Sequence, residues 1–233
     1  MTTLISGMGI VVPARNEEAL LPRALAALEA TCDALREKLG PQTPRVRTIL
    51  VLDSCTDRSA SVAAQWNRVE TLTVDYGAVG AARHHGIHHL LTSSDMSESE
   101  LWIANTDADS QVPANWLGDQ WELAAAGVDV MIGTVRPDFN DLSEAQRDRW
   151  LRTHTPGHAN GHVHGANLGV RADRYRAVGG FTPVVEHEDV LLVESLSEAG
   201  AQIAATDSCC VLTSGRAFGR TPGGYASHLR ERL

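Results

Sequence analysis

The sequence has few cysteines and no long hydrophobic run. Its four cysteines, Cys32, Cys55, Cys209 and Cys210, form no CxxC pair and are too few for a disulfide framework. We therefore expect reduced thiols rather than a secreted scaffold or a structural zinc site. The apolar run at 8–14 is short, contains glycine and proline, and follows no basic stretch. We expect no integral membrane segment, no secretory signal and a cytoplasmic location.

Basic residues are in the minority. Twenty Lys and Arg against 29 Asp and Glu give the 233-residue chain a formal net charge of −9. This balance predicts no general affinity for nucleic acid or for anionic lipid, so an anionic ligand would need a local site. A hydrophobic content of 43% is enough for a large core and argues against intrinsic disorder.

Short apolar runs alternate with helical patterns along the first half of the chain, which is typical of a parallel sheet wound with helices. Apolar residues recur every three or four positions after Glu17, so we expect the first helix to begin near that residue, with Pro22 in its first turn. We expect strands at 9–13, 46–52, 69–74, 101–104 and 128–135, and further helices at 59–66, 80–91 and about 113–126. Cys209 and Cys210 are expected in a buried strand.

Polar loops follow three of the expected strands, at 13–18, 53–57 and 105–110. Open α/β sheets bind ligands outside the carboxyl ends of their strands, and these three loops share that edge. Asp107 and Asp109 are one residue apart, so their carboxylates can converge on one hard cation that bridges diphosphate oxygens. A solvated acidic turn is the alternative for an isolated pair, but the two other loops favour a nucleotide cleft.

Taken in order, these motifs resemble the family 2 glycosyltransferases, whose nucleotide-sugar fold is called GT-A. The resemblance spans nearly the whole chain and is carried by VVPARNE at 11–17, VLD at 51–53 with TD at 56–57, GAAR at 80–83 with Gly86, DAD at 107–109, GAN at 165–167, GGF at 179–181 and ED at 188–189. It implies an α/β fold with a Rossmann-like nucleotide-binding half, built on a mixed central sheet flanked by helices, fused to an acceptor-binding half. We expect one domain over 1–233, with the nucleotide-binding half at about 1–110 and the acceptor half and a basic C-terminal loop at about 111–233.

The resemblance also assigns residues to the donor. Pro13, Arg15 and Glu17 would border the nucleoside, and Asp53 would accept a hydrogen bond from the base. Residue chemistry alone leaves Asp53 open between that role and a turn or helix N-cap. Arg83 would pair with phosphate or with Asp107, and a surface arginine is its alternative.

For the acceptor side, the resemblance implies that Asp189 is the catalytic base, with Glu188 as its substitute, and that transfer inverts the anomeric centre. Helix capping alone could also explain this acid pair. The segment 213–224 contains Arg216 and Arg220 among helix-breaking residues, so it is either a lid that neutralises the leaving diphosphate or an irregular tail.

Histidines form two clusters, at 84–89 and at 154–164. His84 and His88 are one helical turn apart, but no HExxH motif accompanies them, so a helix surface is favoured over a zinc site. The second cluster, His154, His158, His162 and His164, is expected to line the acceptor pocket rather than to hold zinc. One histidine remains a candidate further ligand of the sugar-nucleotide metal.

The sequence therefore predicts a metal-dependent glycosyltransferase of the hexosyltransferase type. It would move one sugar from a UDP or GDP sugar to an unknown hydroxyl acceptor, with Mg²⁺ or Mn²⁺ held by Asp107 and Asp109. The absence of a QxxRW motif favours single-sugar transfer, and Ser54 replaces a carboxylate common in the family, which leaves base selectivity open. A lapsed nucleotide-sugar-binding scaffold is the alternative; an oxidoreductase is disfavoured because no GxGxxG follows the first strand. We also allow for a homodimer.

Overall fold

The structure is a computed structural model and describes residues 4–184, 186–219 and 224–232. Its strands are β1 (Gly7–Ala14), β2 (Arg45–Asp53), β3 (Val69–Val74), β4 (Leu101–Asn105), β5 (Ser110–Gln111), β6 (Val130–Pro137), β7 (Leu168–Arg171) and β8 (Ile203–Thr213). Its helices are α1 (Leu21–Leu39), α2 (Ser59–Ala63), α3 (Val79–Thr92), α4 (Trp116–Ala125), α5 (Glu144–Thr153), α6 (Ala172–Ala177), α7 (Glu188–Glu198) and α8 (Tyr225–Arg232).

Within the described residues the strands form one mixed sheet of order β3-β2-β1-β4-β7-β6-β8-β5. Strands β3, β2, β1 and β4 are parallel, whereas β7 runs antiparallel to both β4 and β6. The start of β7 therefore lies at the same edge as the carboxyl ends of β1, β2 and β4. This reversal brings the segment before β7 to the cleft that the first-half loops form.

Helices cover both faces of the sheet, as the predicted α/β fold requires. One apolar cluster packs α1 and α4 against one face, and the other packs α3, α6 and α7 against the opposite face. The predicted stripe of α1 is buried, with Leu25 fully inaccessible and Leu35 1% exposed. Burying each such leucine contributes roughly 2 kcal/mol relative to leaving it in water.

Two expected helix boundaries differ from the structure. Helix α1 begins at Leu21 rather than near Glu17, because a turn precedes it in which the Glu17 carbonyl accepts hydrogen bonds from the N–H groups of Leu20 and Leu21. Pro22 lies in the first turn, as predicted. Helix α2 ends at Ala63 rather than at Trp66, because the Trp66 N–H bonds to the Ala63 carbonyl and tightens the chain into a turn.

The other elements whose positions the sequence predicted lie within three residues of the expected bounds, whereas β5, β7, α5, α6 and α8 were not placed by it. The first four strands lie where the apolar runs predicted them, and the expected strand at 128–135 is shifted to Val130–Pro137. Cys209 is fully buried in β8, as expected, whereas Cys210 is only partly buried, and both are free thiols. Among the described residues, no helix combines the length and the apolar character that a bilayer crossing requires.

Asn167 connects three elements of the second half of the chain. Its side chain is inaccessible to solvent, accepts a hydrogen bond from the Trp116 indole (2.8 Å), and donates to the carbonyls of Thr134 (2.8 Å) and Cys209 (3.0 Å). Because Trp116, Thr134 and Cys209 belong to α4, β6 and β8, one amide holds a helix and two strands in register.

We expect Asn167→Leu to lower the free energy of unfolding by at least about 2 kcal/mol, since it leaves buried polar partners without hydrogen bonds. Urea unfolding followed by circular dichroism measures the loss. Asn67→Leu, at an exposed position, is the matched control and should change stability by less than about 0.5 kcal/mol. Equal stability of the two variants would contradict a structural role for the Asn167 amide.

Candidate active site

The three polar loops predicted from the sequence meet at one edge of the sheet. They line a cavity of about 190 Å³ at the carboxyl ends of β1, β2 and β4. Predicted site residues on its wall are Pro13, Arg15, Glu17, Asp53, Asp107, Asp109 and Arg216. We refer to it as the nucleotide cavity, after the ligand that the sequence predicts for this edge. Arg220 lies outside the described residues.

Asp53 organises the loop between β3 and α3. Its Oδ1 accepts the backbone N–H groups of Tyr76 (2.7 Å) and Gly77 (2.9 Å), and its Oδ2 accepts that of Ala78 (3.1 Å). A carboxylate offers about four acceptor positions, so Oδ2 retains capacity for one further donor from the cavity. The turn role and the base-binding role are therefore compatible in this carboxylate.

Two non-glycine residues in these loops have left-handed backbone conformations. Asn16 has φ 56° and Ser54 has φ 53°. The Asn16 side-chain oxygen accepts hydrogen bonds from the N–H groups of Thr56 (2.7 Å) and Asp57 (3.3 Å), which ties the first loop to the second. Such strain persists only where the surroundings fix it, and it clusters at functional sites. Sequence reasoning did not single out Asn16, although asparagine is enriched in this conformation.

Arg83 lies between Asp107 and Glu188 and is only 2% exposed. Its guanidinium donates to the Gly165 carbonyl (2.6 Å) and to Asp107, and its Nε lies 3.7 Å from Glu188. Of the two alternatives for this residue, the structure shows the pairing with Asp107 and not a surface position. A side chain at position 165 would displace this guanidinium, because its Cβ would collide with the Arg83 nitrogens.

Arg216 reaches back from the segment after β8 to the other aspartate of the pair. Its Nη2 lies 2.8 Å from Glu17 and 2.7 Å from Asp109, and its Nη1 donates to Glu17 at 3.0 Å. Arg216 therefore bridges the first and third loops. Each aspartate of the 107–109 motif thus has one arginine as its counter-ion.

Acidic groups exceed basic groups in this part of the cleft. Five carboxyl groups and two guanidinium groups lie within it, those of Glu17, Asp107, Asp109, Glu188, Asp189, Arg83 and Arg216. Burial, followed by the neighbouring acids, raises the pKa of Asp107, Asp109 and Glu188 despite their arginine partners. An added cation would relieve this excess of negative charge.

A second cavity of about 530 Å³ opens beside Asp107. We call it the acceptor cavity, after the role that the sequence predicts for Asp189 on its wall. Asp189 is on its wall and accepts the backbone N–H of Gly165 (2.7 Å) at Oδ2. His187, directly before α7, has φ 62°, which turns the chain into the helix at the acid pair. Glu188 is 5% exposed and faces Arg83, whereas Asp189 is partly exposed. The two acids thus have different surroundings.

Three of the four histidines of the second cluster lie on the wall of this second cavity. His154, His162 and His164 line this cavity. Burial lowers the pKa of His164 to about 4, so its imidazole is neutral at physiological pH. Sequence reasoning missed Tyr225 and His228 of α8, which also line the cavity. The sequence could have indicated them, because two residues spaced i, i+3 after a pair of glycines share one face of a helix.

The first histidine cluster lies on α3, away from both cavities. His84 contacts the Tyr175 hydroxyl (3.3 Å), and His85 contacts the Tyr76 hydroxyl (3.1 Å). His88 is exposed on the same helix. The described residues contain no group of three or more His, Cys, Asp or Glu side chains placed to hold a metal ion.

Comparison with known proteins gives consistent matches. The family model described as glycosyl transferase family 2 matches residues 9–178. An undecaprenyl-phosphate 4-deoxy-4-formamido-L-arabinose transferase of Pseudomonas paraeruginosa is 32% identical over 135 residues, which is 58% of this chain and 37% of that protein. A homologous transferase of Aeromonas hydrophila is 28% identical over 152 residues, 64% of this chain and 41% of its own. The matched segments thus span well under half the length of these relatives.

Solved structures show the same fold. The mannosyltransferase PcManGT from Pyrobaculum calidifontis, in complex with GDP-Man and Mn²⁺, has a TM-score of 0.65 and 17% identity, covering 91% of this chain and 58% of its own. Staphylococcus aureus TarS 1-349 has a TM-score of 0.62 and 13% identity, and the match covers 89% of this chain and 60% of the TarS chain. At these identities the likeness shows the fold alone, and it confirms the predicted GT-A type.

We expect Arg216→Ala to lower the free energy of unfolding by about 2 kcal/mol at pH 7.5, because it leaves the Glu17 and Asp109 carboxylates without their shared cation. In this variant the Asp109 carboxyl, whose pKa burial already raises, takes up a proton more readily in the folded than in the unfolded chain. The loss should therefore shrink as the pH is lowered towards 5. Urea unfolding at several pH values measures it.

Arg36→Ala is the control, because Arg36 pairs with Asp33 on the exposed surface. It should cost less than about 0.5 kcal/mol. An Arg216→Ala loss that is independent of pH would show that the two acids do not depend on this arginine.

Proposed function

Because the chain belongs to glycosyl transferase family 2, we propose that it transfers one sugar from a nucleoside diphosphate sugar to a hydroxyl group of an acceptor. The main support for this proposal is the position of the 107–109 motif between two adjoining cavities. Asp107 lines both the nucleotide cavity and the acceptor cavity. A sugar whose diphosphate lies at this motif would present its anomeric carbon to the second cavity, where Asp189 lies.

The donor would bind in the nucleotide cavity, formed mainly by residues 1–110. Pro13 and Arg15 would border the nucleoside, and the remaining acceptor position of the Asp53 carboxylate suits an imide N–H of the base. PcManGT was solved with GDP-Man, and a further structure of the same fold, the glucosyl-3-phosphoglycerate synthase of Mycobacterium tuberculosis, was solved with UDP. Those ligands favour a UDP or GDP sugar as the donor here.

The residues present fit a divalent cation. Asp107 and Asp109 supply carboxylate oxygens in a region with an excess of acids, and Mg²⁺ commonly takes one or two carboxylates plus substrate phosphates and water. The relatives with GDP-Man or UDP were solved with Mn²⁺ or Mg²⁺. Such a cation would supply Lewis-acid stabilisation to the departing diphosphate.

Arg216 and Arg220 would act on the same diphosphate, whereas Arg83 would position Asp107. Where Asp109 has a cation as its partner, the Arg216 guanidinium would keep Glu17 and donate to phosphate oxygens in place of Asp109. Arg83, held by Gly165 and Glu188, would stay in place and orient Asp107. Arg220 is proposed to join Arg216 as a second basic group of the lid.

Asp189 is the proposed general base. Backbone N–H groups of Gly165 and Val190 hold its two oxygens at 2.7 and 2.9 Å, so the carboxylate is oriented before the acceptor arrives. It would take the proton of the acceptor hydroxyl as that oxygen attacks the anomeric carbon from the face opposite the diphosphate, which inverts the centre. Glu188 faces Arg83 and serves as the alternative acid.

We expect Asp189→Asn to lower the turnover number about a thousand-fold, because the amide cannot take the hydroxyl proton. Donor affinity should change less than about threefold, since Asp189 lies outside the nucleotide cavity. Release of nucleoside diphosphate from UDP and GDP sugars measures both values, with water as the acceptor where no other is supplied. The same assay separates an enzyme from a lapsed scaffold, which would bind donor without any release.

Glu194→Gln is the control for this variant, because Glu194 is an exposed acid on the same helix. It should retain wild-type turnover. If Asp189→Asn turns over at the wild-type rate, Asp189 is not the base, and the same test then passes to Glu188→Gln.

A thermal-shift panel of UDP, GDP and their sugars tests the donor site and its metal. We expect one nucleotide class to raise the melting temperature in the presence of Mn²⁺ and not in excess chelator, because only the folded chain binds it. The Mn²⁺ effect should weaken as the pH falls, starting above the pH at which exposed aspartates take up protons, since burial raises the pKa of Asp107 and Asp109.

Asp109→Asn should lose the Mn²⁺-dependent shift, whereas Asp95→Asn, at an exposed ion pair, should keep it. A nucleotide shift of equal size with chelator and with Mn²⁺ would count against metal-dependent donor binding.

A further inference from the structure

A third cavity, of about 360 Å³, adjoins the acceptor cavity on the side away from the nucleotide. Its basic groups are Arg149 of α5, His228 of α8, and His154, His158 and His162 of the segment between α5 and β7. We call it the histidine cavity. None of the described residues that line it is Asp or Glu, although the chain as a whole carries a net charge of −9.

The histidines are held in place from both sides of the cavity. The His154 ring stacks on Trp150 at 4.1 Å between centroids and lies within hydrogen-bond distance of the Trp150 carbonyl (2.9 Å). The His162 and His228 rings meet edge to face at 6.1 Å. Gly157 and Gly161 have φ of 81° and 76°, so tight turns flank the stretch that carries His158.

The histidine cavity and the acceptor cavity are continuous. His154, His162 and His228 line both of them. The acceptor cavity carries its acids, Asp107, Glu186, Glu188 and Asp189, on its own wall. Charge therefore changes sign along one continuous space, from carboxylates at the proposed reaction centre to imidazole and guanidinium groups at the far end.

Acids that face the histidine segment from neighbouring elements already have partners. Asp207 of β8 accepts the Gly157 N–H (2.6 Å) and the hydroxyl of Thr134. Asp189 of α7 accepts the backbone N–H groups of Gly165 and Val190. His164, whose pKa is lowered by burial to about 4, lines the same cavity as Asp189 and is neutral. Glu186 lies on the wall of the acceptor cavity only.

We propose that the acceptor carries an anionic group, a phosphate or a carboxylate, remote from its reacting hydroxyl, and that the histidine cavity binds this group. Imidazolium and guanidinium groups form charge-assisted hydrogen bonds with such anions. The described lining of the histidine cavity supplies basic groups and no acid, whereas the carboxylates lie at the other end of the continuous space. An acceptor with a hydroxyl at one end and an anionic group at the other matches this arrangement. The assignment rests on the proposed function for its reacting hydroxyl, but anion binding can be measured without turnover.

Sulfate is the probe, because its charge does not change between pH 5.5 and 8. Titration of the wild-type protein with sodium sulfate, followed by NMR of the imidazole C–H signals, should shift the signals that are missing in His158→Gln/His162→Gln. The double variant should bind at least about tenfold more weakly, because it loses two charge-assisted contacts.

His88→Gln is the matched control, an exposed histidine on α3 outside the cavity, and should bind sulfate as the wild type does. His158 and His162 are both exposed, so the double variant is expected to fold, and its melting temperature checks this. Sulfate affinity that is equal in the wild type and the folded double variant would overturn the proposal. Tight zinc binding that the double variant loses would also overturn it, by assigning the rings to a metal.

Two further titrations distinguish the source of the anion. Glycerol 3-phosphate that competes with sulfate identifies a small acceptor in solution. Co-sedimentation with phosphatidylglycerol vesicles but not with phosphatidylcholine vesicles, lost in the double variant, identifies a lipid headgroup. If wild-type protein transfers sugar while no anion binds the cavity, this proposal fails alone; if sulfate binds but no transfer occurs, the proposed function fails and the anion site stands.

Discussion

The buried guanidinium of Arg83 is the contact on which the cleft depends. A positive charge with so little access to water requires compensation from several sides, because an isolated buried charge is strongly unfavourable. Asp107, Glu188 and the Gly165 carbonyl provide it, and each belongs to a different segment: the loop after β4, the start of α7 and the turn before β7. The pairing therefore fixes the distance between the donor side and the acceptor side.

The same contact limits what the surrounding residues can be. Helix α3 approaches the start of α7 closely enough that a Cβ on Gly80 would lie 2.9 Å from the Thr182 carbonyl and 3.0 Å from the Glu188 side chain. Small residues at the start of α3 are thus a packing requirement for placing Arg83. Since Glu188 faces this arginine and is only 5% exposed, its neighbour Asp189 is the more accessible of the two acids on the cavity wall.

Much of this architecture follows from the sequence, and the parts that do not have a common physical reason. Strands such as β3 and loops such as 13–18 are local, so apolar runs and turn residues predict them. The contact between Glu17 and Arg216 joins residues 199 positions apart and depends on how β8 returns the chain to the cleft. The left-handed conformation of His187 is likewise imposed by tertiary packing, because nothing in its local sequence requires it.

The contribution of α8 was missed for a similar reason. Its Tyr225 and His228 belong to a short polar helix that the pattern of apolar residues does not distinguish from a tail. Only the folded chain brings its rings against His162 and His164. The histidine segment itself was expected beside the acceptor, but its division between two connected cavities depends on the turns at its glycines.

Because β7 runs in the reverse direction, the segment that precedes it can vary independently of the strands of the sheet. Residues 154–164 form a span whose two ends are anchored, one by the ring stack on Trp150 and the other by entry into the sheet. The entropy of closing such a span rises only slowly with its length, so it can lengthen, shorten or change composition without moving a strand. The scaffold can therefore carry a different loop at this edge while the residues that line the nucleotide cavity stay in place.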